Sequence, residues 1–248
     1  MPKPDTPATD GNAPARPTII LVHGAFADSS SWNGVIALLQ QHGYHVVAAA
    51  NPLRSVKADA AYVAAVLASI EGPVVLVGHS YGGQVITTAA NGRATVAALV
   101  YVAAFAPAAG EAAGELAGRF PGGTLGAALA APVGLPEGGV ELSIDPQRFH
   151  QQFAHDVPAS HAALMAAGQR PVTAAALGEG SGEPAWKTRP SWFIYGDGDR
   201  NIPAEAQRFM AERAGSRRTV VIEGASHVVM VSHPDAVAAL IEEAATQP

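Results

Sequence analysis

The stretch Val74-Val75-Leu76-Val77-Gly78-His79-Ser80-Tyr81-Gly82-Gly83 constrains this chain more than any other: an apolar run stops at a serine fenced by glycines, with a helix-like segment directly behind it. A strand that turns at once into a helix leaves one residue on a sharp, strained turn. The two arms of the chain nearly touch there, so small neighbours are needed, and Gly78 and Gly82 supply the room. The Ser80 hydroxyl then stands clear at the carboxyl end of a strand. The backbone N–H groups behind it open a helix N-terminus that can hold negative charge. This is where a nucleophile would be placed.

The rest of the chain supplies a sheet for that strand. Thr18-Ile19-Ile20-Leu21-Val22-His23 is a continuous run stopped by Gly24, the pattern of a strand buried on both faces of a parallel sheet. Trp32 to His42 carries apolar residues at helical spacing and ends at Gly43; Tyr44 to Ala50 returns to strand before Asn51-Pro52. Ser55 to Ile70 predicts a second helix, Gln84 to Asn91 continues the helix after the serine, and Val96 to Phe105 predicts another buried strand. Further on, Ser191 to Gly196 and Thr219 to Ile222 read as strands, and Ala204 to Ala214 and Asp235 to Ala245 as helices. Alternating strands and helices call for parallel crossovers, hence an α/β fold with a doubly wound, mostly parallel sheet.

Two segments stand outside this rhythm. Residues 1–17 are rich in Pro, Ala, Thr and Asp and lack the apolar core of a signal peptide, so they predict a disordered leader ahead of a single domain over 18–248. From about 106 to 189, Gly, Ala and Pro are dense and the amphipathic pieces are short. A stretch this long between core strands predicts an inserted helical cap that serves as a lid or binding element. Its Leu125, Leu129, Leu135, Phe149, Phe153, Leu164 and Met165 either line an apolar acyl or alcohol pocket or simply fasten the cap to the core.

Composition excludes several other functions. With 248 residues, 48% of them hydrophobic, the chain can bury a large core in one domain. A net charge of −6 gives no basic surface for nucleic acid, and no apolar run reaches the ~18 residues of a membrane span. A cytoplasmic location is the default expectation. The absence of cysteine removes disulfides, thiolate metal sites and Cys nucleophiles together. The nine histidines show no His-x-x-x-His or Glu-paired spacing, so no metal is expected.

A serine hydroxyl is a weak nucleophile at neutral pH and needs a base, which in turn needs a third group to fix its tautomer. All strand carboxyl ends of a parallel sheet lie on one edge, so loops after separate strands can meet there. Two such loops carry suitable side chains: Gly196-Asp197-Gly198-Asp199-Arg200, and Glu223-Gly224-Ala225-Ser226-His227 after the last strand. The resulting order is Ser, Asp, His. His227 is the candidate base because it alone follows a late core strand through a small-residue turn. His79 is expected to pack or hydrogen bond, His23 to close the first strand, and His150, His155 and His161 to lie in the cap. Spacing leaves Asp197 and Asp199 both open as the acid.

The segments His23-Gly24-Ala25-Phe26, Gly78 to Gly83, Tyr195 to Pro203 and Gly224-Ala225-Ser226-His227 together resemble the α/β-hydrolase family, in particular its small bacterial and plant-methylesterase-like esterases, a branch that also holds the hydroxynitrile lyases. The resemblance runs from Thr18 onward and is weakest in the cap. It implies the α/β-hydrolase fold and a Ser80, His227, Asp199 triad, since the family acid is usually the fourth residue of a G-x-x-D turn, which leaves Asp197 as the turn residue. It further implies an oxyanion hole from the backbone N–H groups of Ala25 and Tyr81, with Phe26 as the fallback, and hydrolysis of a small-molecule ester through an acyl-enzyme without a cofactor. The lyase relatives carry a lysine beside the catalytic histidine, where this chain has Val228, and that departure counts against a lyase. Perhydrolase or cofactor-free dioxygenase chemistry leaves no decisive mark here, and the intact triad favours an enzyme over a ligand receptor of the same fold. Oligomeric state is not encoded in any motif.

Overall fold

The structure is a computed structural model that describes residues 16–247. The leader expected over 1–17 therefore lies, except for Arg16 and Pro17, outside the described residues.

The first half of the core comprises β1 (Thr18–Val22), α1 (Asn33–Gln41), β2 (Val46–Ala49), α2 (Val56–Ala68), β3 (Val74–His79), α3 (Tyr81–Ala89) and β4 (Val96–Val102). An intervening segment holds α4 (Ala113–Arg119), α5 (Leu125–Ala128), β5 (Val133–Gly134), β6 (Val140–Leu142), α6 (Pro146–Phe153), α7 (Ala159–Gly168), β7 (Val172–Thr173) and α8 (Ala174–Gly178). The core then resumes with β8 (Ser191–Gly196), α9 (Ala204–Arg213), β9 (Arg218–Ile222), α10 (Val229–Ser232) and α11 (Pro234–Thr246).

Six strands form one parallel sheet in the order β2-β1-β3-β4-β8-β9. The inner strands β1, β3 and β8 are buried at every position, as their unbroken apolar runs require, whereas the edge strands β2 and β9 are partly open, with Val221 half exposed. α1 packs against α11 and α2 against α3. Right-handed crossovers explain the layering: the chain moves one way from β1 to β2 and the other way from β3 onward, which puts the two helix sets on opposite faces. The reversal falls between β1 and β3, where the loops leaving them part and open a crevice at the carboxyl edge.

Local chemistry sets the element ends. The Ser55 side chain accepts a hydrogen bond from the Ala58 N–H at 3.1 Å and caps α2. Trp32, expected to begin α1, ends a short 3-10 turn instead, and Asp28 caps that turn by accepting from the Ser30 N–H at 2.8 Å.

Between β4 and β8 the chain is not made of helices alone. β5, β6 and β7 form a small antiparallel sheet. Strands of two or three residues are too short to leave a period-two pattern, so the sequence carries no sign of them. The segment is fastened to the core at several points. The Glu179 carboxylate accepts from the Val56 N–H at 2.6 Å and the Lys57 N–H at 3.3 Å, at the start of α2 where the helix dipole favours an anion. Among the described residues no helix is long and apolar enough to cross a membrane.

Candidate active site

Ser80 lies between β3 and α3 with φ 53° and ψ −125°, a backbone conformation that non-glycine residues rarely adopt. The surrounding bonds hold it there: the Ser80 N–H donates to the Val102 carbonyl at 3.3 Å, and the Ser80 carbonyl accepts from Gly83 at 2.9 Å and Phe105 at 3.1 Å. A side chain at Gly82 would put its Cβ 2.4 Å from the Val22 carbonyl oxygen, so only glycine lets α3 start this close to β1. The β1–β3 register pairs Val22 with Gly78, which brings the loop starting at His23 alongside Ser80.

That loop presents backbone donors. The Phe26 N–H donates to the Arg170 carbonyl at 3.0 Å. The Ala25 and Tyr81 amides have no acceptor among the described residues. Of the three amides named from sequence, these two are therefore free and Phe26 is occupied.

The β8–β9 register, pairing Gly196 with Ile222, sets the acid-bearing and histidine-bearing loops side by side. A Cβ on Gly196 would fall 2.1 Å from the Ala225 carbonyl oxygen, which makes this close approach another position that requires glycine. Asp197 accepts from the Gly224 N–H at 2.6 Å and so ties one loop to the other. Asp199 reaches the ring: its Oδ2 lies 2.7 Å from His227 Nδ1, and both side chains are buried. Asp199 Oδ1 accepts from the Asn201 and Ile202 N–H groups at 2.8 and 3.0 Å, and Oδ2 also accepts from Gln207 Nε2 at 2.9 Å. Four hydrogen-bond partners thus converge on one carboxylate and fix its orientation toward the ring. With Nδ1–H donating to Asp199, the His227 Nε2 keeps a lone pair.

Ser80 and His227 line the same small cavity, about 60 Å3, with Ala25, Tyr81, Phe105 and Phe153. Leu125 and Phe153, two of the apolar residues named from sequence, do line it. Phe149 is buried behind Phe153, its ring 4.9 Å away, and Leu164 and Met165 line a different and larger cavity. No group of three or more His, Asp or Glu side chains able to hold a metal is present among the described residues.

Sequence reasoning missed several supports. Tyr81 donates its hydroxyl to Asp59 Oδ2 at 2.9 Å, which anchors the residue whose amide faces the cavity, and burial raises the pKa of both groups. Asp59 follows Val56 by three positions on the buried stripe of α2, and Gln207 sits on the buried stripe of α9 beside Ala206 and Met210. A polar residue on an apolar stripe was the available signal in both cases. The end of α6 and the residues after it stitch the two site loops together. Gln152 Nε2 donates to the Arg200 carbonyl and to Asn201 Oδ1, His155 Nε2 lies 3.1 Å from the Gly198 carbonyl, and Asp156 Oδ2 accepts from the Ser226 N–H at 3.1 Å. His155 thus bonds from the cap to the loop that carries Asp199.

His79 packs its ring 4.8 Å from that of His227, and its Nε2 is 3.1 Å from the His227 carbonyl, so it holds the backbone beneath the candidate base. Complete burial, with His227 nearby, holds its pKa well below the usual histidine value, and burial lowers that of His23 as well. Below about pH 6.5 the unfolded chain takes up protons that these two native histidines refuse, so stability falls with pH. The slope can reach at most about 1.4 kcal/mol per pH unit for each histidine, where the unfolded chain holds the proton and the native one does not. Tm should therefore fall between pH 7.5 and 5.5, and His79→Gln should flatten that fall. An unchanged slope would show that His79 is not a source of it.

The sequence model of the alpha/beta hydrolase family matches residues 19–240. No curated protein matches the sequence. Among solved structures, polyneuridine aldehyde esterase superposes with TM-score 0.80 at 20% identity, over 92% of this chain and 99% of that one. A pyrethroid hydrolase from Sphingobium faniae JZ-2 gives 0.73 at 25% identity, over 94% and 98%. Tomato methylketone synthase I complexed with 2-tridecanone gives 0.75 at 20%, over 94% and 99%.

Proposed function

The chain belongs to the alpha/beta hydrolase family, and from that premise we propose that it hydrolyses carboxylic esters through Ser80, His227 and Asp199. The observation that carries the reading is the 2.7 Å bond from Asp199 to His227 Nδ1 at the wall of a cavity that Ser80 shares. Structural neighbours named as an esterase and as a pyrethroid hydrolase support the same class of reaction.

His227 Nε2 takes the Ser80 proton as Oγ adds to the ester carbonyl. The carbonyl oxygen becomes an oxyanion, met by the Ala25 and Tyr81 amides, each of which lowers the barrier by ~3 kcal/mol. Phe26 contributes no donor, because its amide is bonded to Arg170. Asp199 holds the ring in the tautomer that leaves Nε2 free and stabilises the imidazolium once it forms. Collapse breaks the bond to the alcohol, which leaves with the proton from His227. Water, deprotonated by the same nitrogen, then cleaves the acyl-serine and restores the hydroxyl. Chemistry by these residues needs no cofactor.

The test is covalent trapping. A fluorophosphonate should stop saturable turnover of p-nitrophenyl acetate, with the label found on the peptide containing Ser80 by mass spectrometry. Full inhibition with the label on another residue would overturn the assignment.

A further inference from the structure

Next to the Ser80 cavity lies a second and much larger one of about 370 Å3, between the loop after β1 and helix α7. Its wall is mixed: Leu164, Met165 and Val231 are apolar, while Asp28, His161 and Gln169 are polar. Phe26 is the single residue that lines both cavities.

Phe26 is built into its place. Its backbone sits at φ 61°, a left-handed conformation that an aromatic residue adopts only when its surroundings impose it. The bond from its N–H to the Arg170 carbonyl ties it to the chain just beyond α7. Its ring meets that of Phe153 edge to face, 6.3 Å between centres, and only 3% of the residue is exposed. Phe153 itself lines the Ser80 cavity. An aromatic partition thus separates about 60 Å3 of space at the nucleophile from about 370 Å3 outside it.

From this geometry we infer that Phe26 determines how large an ester arm reaches Ser80, and that the outer cavity is the space a longer alkyl or aryl arm occupies once the ring is displaced or removed. The inference rests on the proposed ester hydrolysis. It adds a specificity-determining residue that works through size, not through hydrogen bonding.

The experiment compares kcat/KM for p-nitrophenyl acetate and p-nitrophenyl octanoate. Fitting or excluding even one methylene in an apolar pocket changes discrimination about 10- to 200-fold. Phe26→Ala should therefore raise the octanoate-to-acetate ratio roughly tenfold or more, and Phe26→Leu should raise it by less. Met165→Trp, which puts a larger ring into the outer cavity, should reduce the gain when combined with Phe26→Ala. An unchanged ratio in both Phe26 variants, with acetate turnover still dependent on Ser80, overturns the partition and leaves ester hydrolysis standing. A gain that Met165→Trp leaves entirely undiminished overturns the outer cavity as the place the arm goes. Acetate turnover that survives Ser80→Ala overturns the underlying reaction instead. Graded Phe26→Leu keeps the test decisive if the alanine variant does not fold.

Discussion

Ser80→Ala should reduce kcat for p-nitrophenyl acetate by roughly 10^4- to 10^6-fold, the scale on which removing a nucleophile acts when the rest of its unit stays in place. The fold should survive. The bonds that hold the turn run through the Ser80 backbone N–H and carbonyl, and alanine keeps both. The ring bond of His227 goes to Asp199, so the hydroxyl is not needed to position the ring. Thermal unfolding should shift by no more than a few degrees, corresponding to about 1 kcal/mol. Purified, folded Ser80→Ala with near wild-type turnover would remove Ser80 from the reaction.

The second large effect separates the two aspartates. Asp199→Asn should lower kcat by about 10^4-fold. Its Oδ2 accepts from both His227 Nδ1 and Gln207 Nε2, and its Oδ1 from two backbone N–H groups, so an amide NH2 at either position faces donors. Turned toward the ring, that NH2 would push His227 into the tautomer whose Nε2 carries the proton, where it cannot act as a base. Asp197→Asn keeps an oxygen for the Gly224 N–H and should change kcat by less than about threefold. Stopped assays on both purified variants settle the ranking. A larger loss in Asp197→Asn would transfer the role of the acid to it.

Much of the fold was legible because its signals are local. The inner strands are unbroken apolar runs, and Ser191–Gly196 forms a strand over the span its composition predicts. Helices α2, α9 and α11 begin and end within about two residues of the expected limits, as caps and glycines allow. The small sheet of β5, β6 and β7 was not legible, because its strands are too short to show a period and β7 pairs, through Thr173 and Val172, with Glu141 and Leu142 far back in the chain.

The candidate site divides along the same line. The glycine-fenced serine and the order Ser, Asp, His are properties of the chain, set by which residues can occupy a tight turn and which loops follow strands. Which aspartate reaches the ring, which amide after β1 stays free, and that Tyr81 is tethered to Asp59 were decided by where strands and helices distant in sequence converge. So was the place of Phe26 between two cavities, since one wall comes from the loop after β1 and the other from α6 and α7. Turn sterics act between neighbours in the chain and are written in the sequence. Hydrogen-bond partners and cavity walls are contacts between separate elements, and only packing assigns them.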